Sequence, residues 1–273
     1  AVAYRVSRGN IFDDVVIVDI DDNNLKLAKK FCGGNIRTIK ADVLRELDSL
    51  IRGSDIVSCT LPGSISFDVC RRVLEQGISV VDSAYTPQNP FLLESIAKDN
   101  NVVYIPDAGF APGLSNIFVG YFVGVLKSVE RVEIYVGGLP LKPEEPLFHY
   151  VNWSLSDFID EYLRPARIVR DGKILSVDPL EIIEKVTIRG VEYEAFYTDG
   201  LRTLLETIKA KDMFEKTIRY CGHLERMKIL KEIGLLSNDA IRIGDTRINA
   251  KEILRAILRK HVYRPNMRDI VVL

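Results

Sequence analysis

The sequence predicts an α/β protein: an incomplete Rossmann-like, doubly wound parallel sheet, then a second α+β domain with a mixed or antiparallel sheet. Three observations lead there. Over residues 1–105, apolar runs of strand length alternate with capped, helix-patterned stretches. The runs end on carboxylates or turn residues, as strands do when a crossover helix follows. Beyond the hinge Ile105–Asn116, with its two Gly and two Pro, the alternation gives way to hairpins. A chain of 273 residues can bury two modest cores, so the expected units are 1–113 and 114–273.

Taken in order, Ala1–Ser7 has helical spacing, with an end signal at Gly9–Asn10. Val15–Asp19 reads as a buried strand, and a helix from Asp21 or Asp22 runs to Phe31. Ile36–Lys40, Asp55–Cys59, Ser79–Val81 and Val102–Ile105 continue the strands; Val43–Ile51, Ile65–Glu75 and Pro90–Lys98 supply the helices. Strands joined by crossover helices bury both faces as a parallel sheet with right-handed connections. After the hinge comes a helix, Leu114–Val125, and a strand, Val129–Val136, ended by Gly137–Pro140. Asn152–Leu163 is a helix carrying the only tryptophan, Trp153. Asp171-Gly172 joins the strands Ala166–Arg170 and Lys173–Val177, and a second hairpin turns near Arg189-Gly190.

Composition narrows the functions. With 37 basic and 38 acidic residues the net charge is −1, and neither sign forms a block. Nucleic acid and membrane surfaces are therefore not expected partners. Cys32, Cys59, Cys70 and Cys221 are scattered and only three histidines are present, so no disulfide framework and no metal centre are expected. These features, with apolar runs too short to cross a bilayer, suit a cytoplasmic protein.

The strand ends carry the candidate cofactor groups. Asp19 stands where a carboxylate meets the adenine-ribose hydroxyls and repels a ribose phosphate, which favours NAD over NADP. Asp42, Thr60, Leu61, Pro62 and Asp82 follow the next strands, and Gly109 and Pro112 present backbone at the hinge. Asp19 and Asp42 could also be plain helix caps. No Gly-x-Gly-x-x-Gly phosphate turn occurs. Either a first strand and its turn precede Ala1, or the fold no longer binds a dinucleotide.

Polar density rises in Glu194–Thr203 and Glu215–His223. These two stretches, with Asp107–Asn116 and Gly138–Pro140, resemble the lysine 6-dehydrogenase branch of the saccharopine dehydrogenase family, over nearly the whole chain. The resemblance implies a glycine-rich strand and turn upstream of Ala1 and further elements beyond Leu273. Saccharopine-forming relatives carry an aspartate where this chain has Ala111, a departure that favours a smaller amino-acid substrate.

Oxidising an amine by hydride transfer requires a neutral amine, a nicotinamide ring against the reacting carbon and a dock for the remote carboxylate. Arg202 and Arg219 are the expected carboxylate clamp, and either could instead be a structural ion pair. His223 is the first candidate for the proton, with Asp107 and Lys216 behind it. Tyr197, Thr198 and Asp199 could receive amino groups, and Trp153 could wall the pocket. The expected enzyme is an NAD-dependent oxidoreductase acting on lysine or a similar amino acid, as a homodimer or dimer of dimers. Saccharopine or carboxyspermidine-type imine reduction, and a non-catalytic Rossmann-like module, are the alternatives.

Overall fold

The computed structural model describes residues 2–9, 11–32, 36–265 and 267–273. It opens on helix α1 (Val2–Val6); Ala1 and Asn10, at the limits of the expected first helix, lie outside the described residues. Strand β1 (Val16–Asp19), helix α2 (Asp22–Cys32) and strand β2 (Arg37–Lys40) follow, the two strands pairing in parallel from Val16 against Arg37 to Asp19 against Lys40. Helix α3 (Val43–Leu50) is capped by the Asp42 side chain on the Leu44 N–H, while Glu46 reaches back to the Asp42 N–H at 3.1 Å. That reciprocal pair satisfies two N–H groups the helix cannot satisfy itself.

Strand β3 (Ile56–Cys59), helix α4 (Gly63–Glu75), strand β4 (Ser79–Asp82), a 3₁₀ turn over Pro90–Leu93 leading into helix α5 (Glu94–Asp99), and strand β5 (Tyr104–Ile105) complete the alternation. β3, β4 and β5 pair in parallel in that order. Here the expectation of one sheet is modified: β1–β2 and β3–β4–β5 are separate hydrogen-bonded pieces. The parallel character follows the crossover helices all the same. Val69, Cys70, Val73 and Leu74 on α4 pack against Cys59, Val80, Leu93 and Ala97 to form the core of this half.

At the hinge, Gly113 has φ 144°, and a Cβ there would lie 2.0 Å from the Gly109 carbonyl oxygen, so only glycine fits this turn. Helix α6 (Leu114–Val125) then sends Val119 toward the second core while Ile117, Tyr121 and Val125 stay mostly exposed. Strand β6 runs from Arg131 to Pro140, four residues beyond the expected end. It is extended because a C-terminal strand pairs antiparallel with Gly137–Pro140, a partner the local Gly-Gly-Leu-Pro signal cannot reveal.

The remaining elements are helix α7 (Leu155–Asp160), strands β7 (Ala166–Arg170), β8 (Lys173–Val177), β9 (Ile183–Ile188) and β10 (Val191–Thr198), helix α8 (Leu204–Thr207), strand β11 (Asp212–Tyr220), helix α9 (His223–Glu232), the hairpin β12 (Ala240–Ile243) and β13 (Thr246–Asn249), helix α10 (Ala250–His261) and strand β14 (Asp269–Val272). The larger sheet runs β14-β6-β11-β10-β9, with β7 and β8 branching from β11. Among the described residues of this sheet, only β6 and β11 pair in parallel, which makes the sheet mixed.

Period two divides β11 between the faces of this sheet: Met213, Glu215, Thr217 and Arg219 on one, Phe214, Lys216, Ile218 and Tyr220 on the other. The first face receives α7, α9 and α10, whose Phe158, Leu224, Met227, Leu254 and Leu258, with Tyr162 from the turn after α7, enclose Phe196 of β10. Ile134, Val136 and Met213 on that face pack with Leu201, Leu204 and the hinge residue Ala111. No helix among the described residues is long and apolar enough to cross a membrane.

Phe158 is fully buried and meets Tyr162 edge to face at 5.3 Å and stacks on His149 at 5.6 Å. Phe158→Ala is expected to cost about 3–5 kcal/mol by losing apolar burial and leaving a cavity. Urea unfolding of the two proteins measures the difference.

Candidate active site

Asp107 follows β5, and Arg202 lies in the turn that follows β10, so the two sheets bring their strand ends together. Arg202 Nε donates to Asp107 Oδ1 at 3.1 Å, and both side chains are almost completely buried. The other guanidinium nitrogens reach Thr86 O at 2.7 Å, Thr86 Oγ1 at 3.3 Å and Gln88 O at 3.5 Å. The group is fully used by the protein. Arg202 is thus a strap between the two halves, and the expectation that it clamps a substrate carboxylate is corrected. Asp107 (φ 52°) and Arg202 (φ 51°) are both left-handed, a backbone cost of about 1–3 kcal/mol each that surrounding contacts must offset.

A second pair sits beside it. Arg167 grips Asp199 through Nε to Oδ1 (2.9 Å), Nη2 to Oδ2 (2.8 Å) and its own backbone N–H (3.0 Å). Tyr85 adds its hydroxyl at 2.6 Å. Burial pulls the Asp199 carboxyl upward, but these donors outweigh it and hold the group below the usual carboxylate range. The Tyr85 ring also faces two cations, with the guanidinium carbons of Arg164 and Arg202 at 3.8 Å and 4.4 Å from its centroid.

The third pair is Arg219 with Glu161, Nη2 to Oε2 at 2.7 Å. Arg219 also donates to the Tyr162 hydroxyl at 3.2 Å and to Ile218 O at 3.0 Å. Its expected role as a substrate clamp is corrected for the same reason as that of Arg202. His223 is wholly buried between Leu147 O (2.6 Å from Nδ1) and the Tyr162 hydroxyl (2.8 Å from Nε2). A carbonyl can only accept, so Nδ1 carries the proton and Nε2 accepts from Tyr162. Burial first, then the Arg219 charge, press its pKa down to about 3. With neither nitrogen free, His223 is structural, not a proton acceptor.

Glu215 lies among these pairs and was not foreseen. It is 3% exposed; Oε1 is 3.5 Å from Thr198 Oγ1, and the buried Oε2 has no hydrogen-bond partner among the described residues. Burial, then the charges of Glu161, Asp199 and Asp107, push its pKa up to about 8 despite the Thr198 hydroxyl. Gly200 is pressed against it so closely that a Cβ would fall 1.6 Å from Oε1. The carboxyl is therefore mostly protonated at neutral pH and poised to exchange a proton.

Lys216, the neighbour on β11, faces the other way. It pairs with Glu184 at 2.6 Å and sits 4.4 Å from the Tyr197 ring centroid and 4.9 Å from that of Phe214. These groups line a concavity of about 440 Å³ on the opposite sheet face, so Lys216 and Tyr197 leave the site. Thr198 stays in it, hydrogen-bonded to Thr217 at 2.9 Å. Trp153 is 39% exposed and meets Phe158 edge to face at 6.3 Å, where it packs on core residues.

On the strand-end side, Asp19 accepts from the Asp21 N–H (2.7 Å) and from Asn24 Nδ2 (3.1 Å), and Asp42 caps α3. Thr60, Leu61 and Pro62 lead into α4 without a side-chain cap, and Gly109 bonds Pro112 O at 3.1 Å within the hinge. Asp82 turns inward: it is 1% exposed, accepting from Ser66 Oγ at 2.9 Å and the Ala84 N–H at 2.9 Å. That burial removes it from the cofactor-facing set. The scattered Cys59 and Cys70 converge with Asp82, their donor atoms within 4.8 Å, around the Ser66 hydroxyl.

Residues 109–273, more than half of the chain, match the family model described as the saccharopine dehydrogenase C-terminal domain. The chain belongs to that family. It is 23% identical to alpha-aminoadipic semialdehyde synthase, mitochondrial, of Mus musculus, covering 88% of this chain and 27% of that protein. It is also 23% identical to the Pyricularia oryzae saccharopine dehydrogenase (NADP+, L-glutamate-forming), over 90% of this chain and 59% of the relative. Among solved structures, apo saccharopine dehydrogenase (L-Glu forming) from Saccharomyces cerevisiae superposes with a TM-score of 0.68 at 22% identity, over 88% of this chain and 57% of that one. The fold is shared, and the chain spans only part of each of these relatives.

Two outcomes follow for the site. Between the ordinary carboxyl value of 4.5 and about 8, folded Glu215 keeps a proton that the unfolded chain has lost, so stability should fall as pH rises through that window. Glu215→Gln should flatten that fall in a series of thermal unfolding curves; an unchanged slope would locate the proton elsewhere. Replacing Arg202 by Met leaves Asp107 buried without its cation and should cost about 3–5 kcal/mol in urea unfolding.

Proposed function

We propose that the protein containing this chain is an oxidoreductase that moves hydride between a nicotinamide dinucleotide and the amine-bearing carbon of lysine or a similar amino acid. The observation that carries this reading is a buried, mostly protonated carboxyl, Glu215, ringed by three arginine–carboxylate pairs where the two sets of strand ends meet. Such a group can hold an amine and move its proton in a site screened from water. The relatives named as saccharopine dehydrogenases support the reaction class.

The strand-end residues fit a dinucleotide in part. The Asp19 carboxylate remains at the surface of the β1 tip, where ribose hydroxyls would be received. No glycine-rich phosphate turn lies in this chain. When bound, the dinucleotide would supply the hydride acceptor. This chain's residues do the rest: Asp19 orients the ribose, and the Arg202–Asp107 strap holds the two halves together. Thr198 and Glu215 face the amine. Asp19 favours NAD, whereas the name of the fungal relative specifies NADP+, so both are tested.

A second reading takes saccharopine as the donor, and the names of the relatives favour it. Ala111 stands against it, through the resemblance noted above. The deciding assay follows cofactor reduction by the full-length protein with lysine, saccharopine or ornithine, each with NAD+ and NADP+. Lysine-dependent NAD+ reduction is expected; a flat trace with lysine and a rise with saccharopine would select the second reading. Asp19→Ala should raise KM for NAD+ with less effect on kcat, and unchanged cofactor affinity would remove Asp19 from the site.

A further inference from the structure

Beneath the strand ends of the first half, four polar side chains meet in a space closed to solvent. Cys59 ends β3 and Asp82 ends β4; they are cross-strand partners in the parallel register, so their side chains leave the sheet on one face. Helix α4 packs against these strands and brings Ser66 and Cys70, one turn apart, to the same place. Cys59 is 3% exposed and Asp82 1%, and Ser66 and Cys70 are fully buried. The Ser66 hydroxyl lies 3.1 Å from Cys59 Sγ, 3.9 Å from Cys70 Sγ and 2.9 Å from Asp82 Oδ1. Both sulfurs and an Asp82 oxygen are within 4.8 Å of one another.

The protein leaves this group short of positive charge. Among the described residues Asp82 has no ion-pair partner; the charge of Arg202 reaches it, but that guanidinium is bonded to Asp107. A second sign comes from β5, where the Tyr104 hydroxyl is buried with no hydrogen-bond partner among the described residues. Burial first, then the charges of Cys70, Asp82 and Asp107, push its pKa up, so this orphaned group lies beside the same cluster. A buried acid with two thiols at hand, and no cation of its own, is a costly arrangement for hydrogen bonds alone to sustain.

We propose that Cys59, Cys70, Asp82 and Ser66 bind a thiophilic divalent cation of the zinc class. Two thiolates, a carboxylate and a neutral hydroxyl suit a borderline-soft ion, and four protein donors make the closed tetrahedral set of a structural site. Bonds of about 2.3 Å to sulfur and about 2.0 Å to oxygen put neighbouring donors roughly 3.3–3.8 Å apart, which small side-chain rotations reach from the separations above. Each thiol releases its proton to solvent as its sulfur bonds the cation, and no electron is transferred. The ion ties the first two turns of α4 to the ends of β3 and β4, and so holds the Thr60–Gly63 turn between them. The expectation of no metal centre rested on cysteine spacing, which conceals donors drawn from three separate elements. Neither the ion nor its test depends on the dehydrogenase reading.

The test uses the full-length protein, untagged, reduced and freed of metal by a chelator. Titration with cadmium should produce thiolate-to-cadmium charge-transfer absorption in the ultraviolet, and zinc should compete for the same site. Cys59→Ala and Cys70→Ala should each weaken cadmium at least about tenfold, whereas Cys32→Ala and Cys221→Ala should leave its affinity unchanged. At about a hundredfold excess over Kd, zinc should raise the unfolding temperature by about 5 °C or more. X-ray absorption at the zinc edge should show sulfur and oxygen neighbours together. No charge-transfer band, a band unaffected by Cys59→Ala and Cys70→Ala, or zinc surrounded by nitrogen and oxygen alone would overturn the site. The cadmium and zinc-edge measurements need only the unsubstituted protein, so they decide the matter even where a variant fails to fold.

Discussion

The buried contact between Arg202 and Asp107 is the constraint on which the arrangement of this molecule depends. It is the point where the strand ends of the parallel half meet those of the mixed sheet, and each partner sits on a left-handed backbone that an unconstrained chain would avoid. A buried ion pair by itself contributes little net stability, because removing two charges from water costs about what their attraction returns. Its effect is on geometry. A guanidinium satisfied by Asp107, Thr86 and Gln88 can be satisfied in only one relative placement of the loops after β4, β5 and β10.

That placement has electrostatic consequences. Bringing Asp107, Asp199, Glu161 and Glu215 into one crevice would be strongly unfavourable if all four were ionised and unpaired. Three of them are matched by arginines, and the fourth stays mostly protonated. The crevice therefore combines an Asp199 carboxyl that its donors hold below the usual carboxylate range with a Glu215 carboxyl that burial holds above it. A wholly matched site would be rigid and inert toward protons; a wholly unmatched one would not fold. The histidine that pH arguments first favour is excluded by its surroundings, since its two nitrogens are engaged by a carbonyl and a hydroxyl in a core without water access.

The local signals for strands and helices in the first half were legible because each is set by neighbours in sequence: the Asp42 cap, the apolar run at β1, the glycine-bearing hinge. Within the site, Lys216 and Arg219 cannot both enter the crevice from β11, because residues three apart on a strand point to opposite faces. Period two alone places Glu215 and Thr217, and not Lys216, on the same face as Arg219. The extension of β6 and the burial of Asp82 were not readable in this way, because each depends on a partner far along the chain.

By itself the sequence determined the class of each half, the positions of most elements and the family likeness, since capping, periodicity and turn chemistry act over a few residues. Tertiary structure alone decided which arginine meets which carboxylate, which cysteines converge, and which acid is left without a partner. Those outcomes depend on distances between residues as far apart as Tyr85 and Asp199, and on water being excluded from the space between them. Burial and pairing are properties of the assembled crevice, and no local pattern of residue types encodes them.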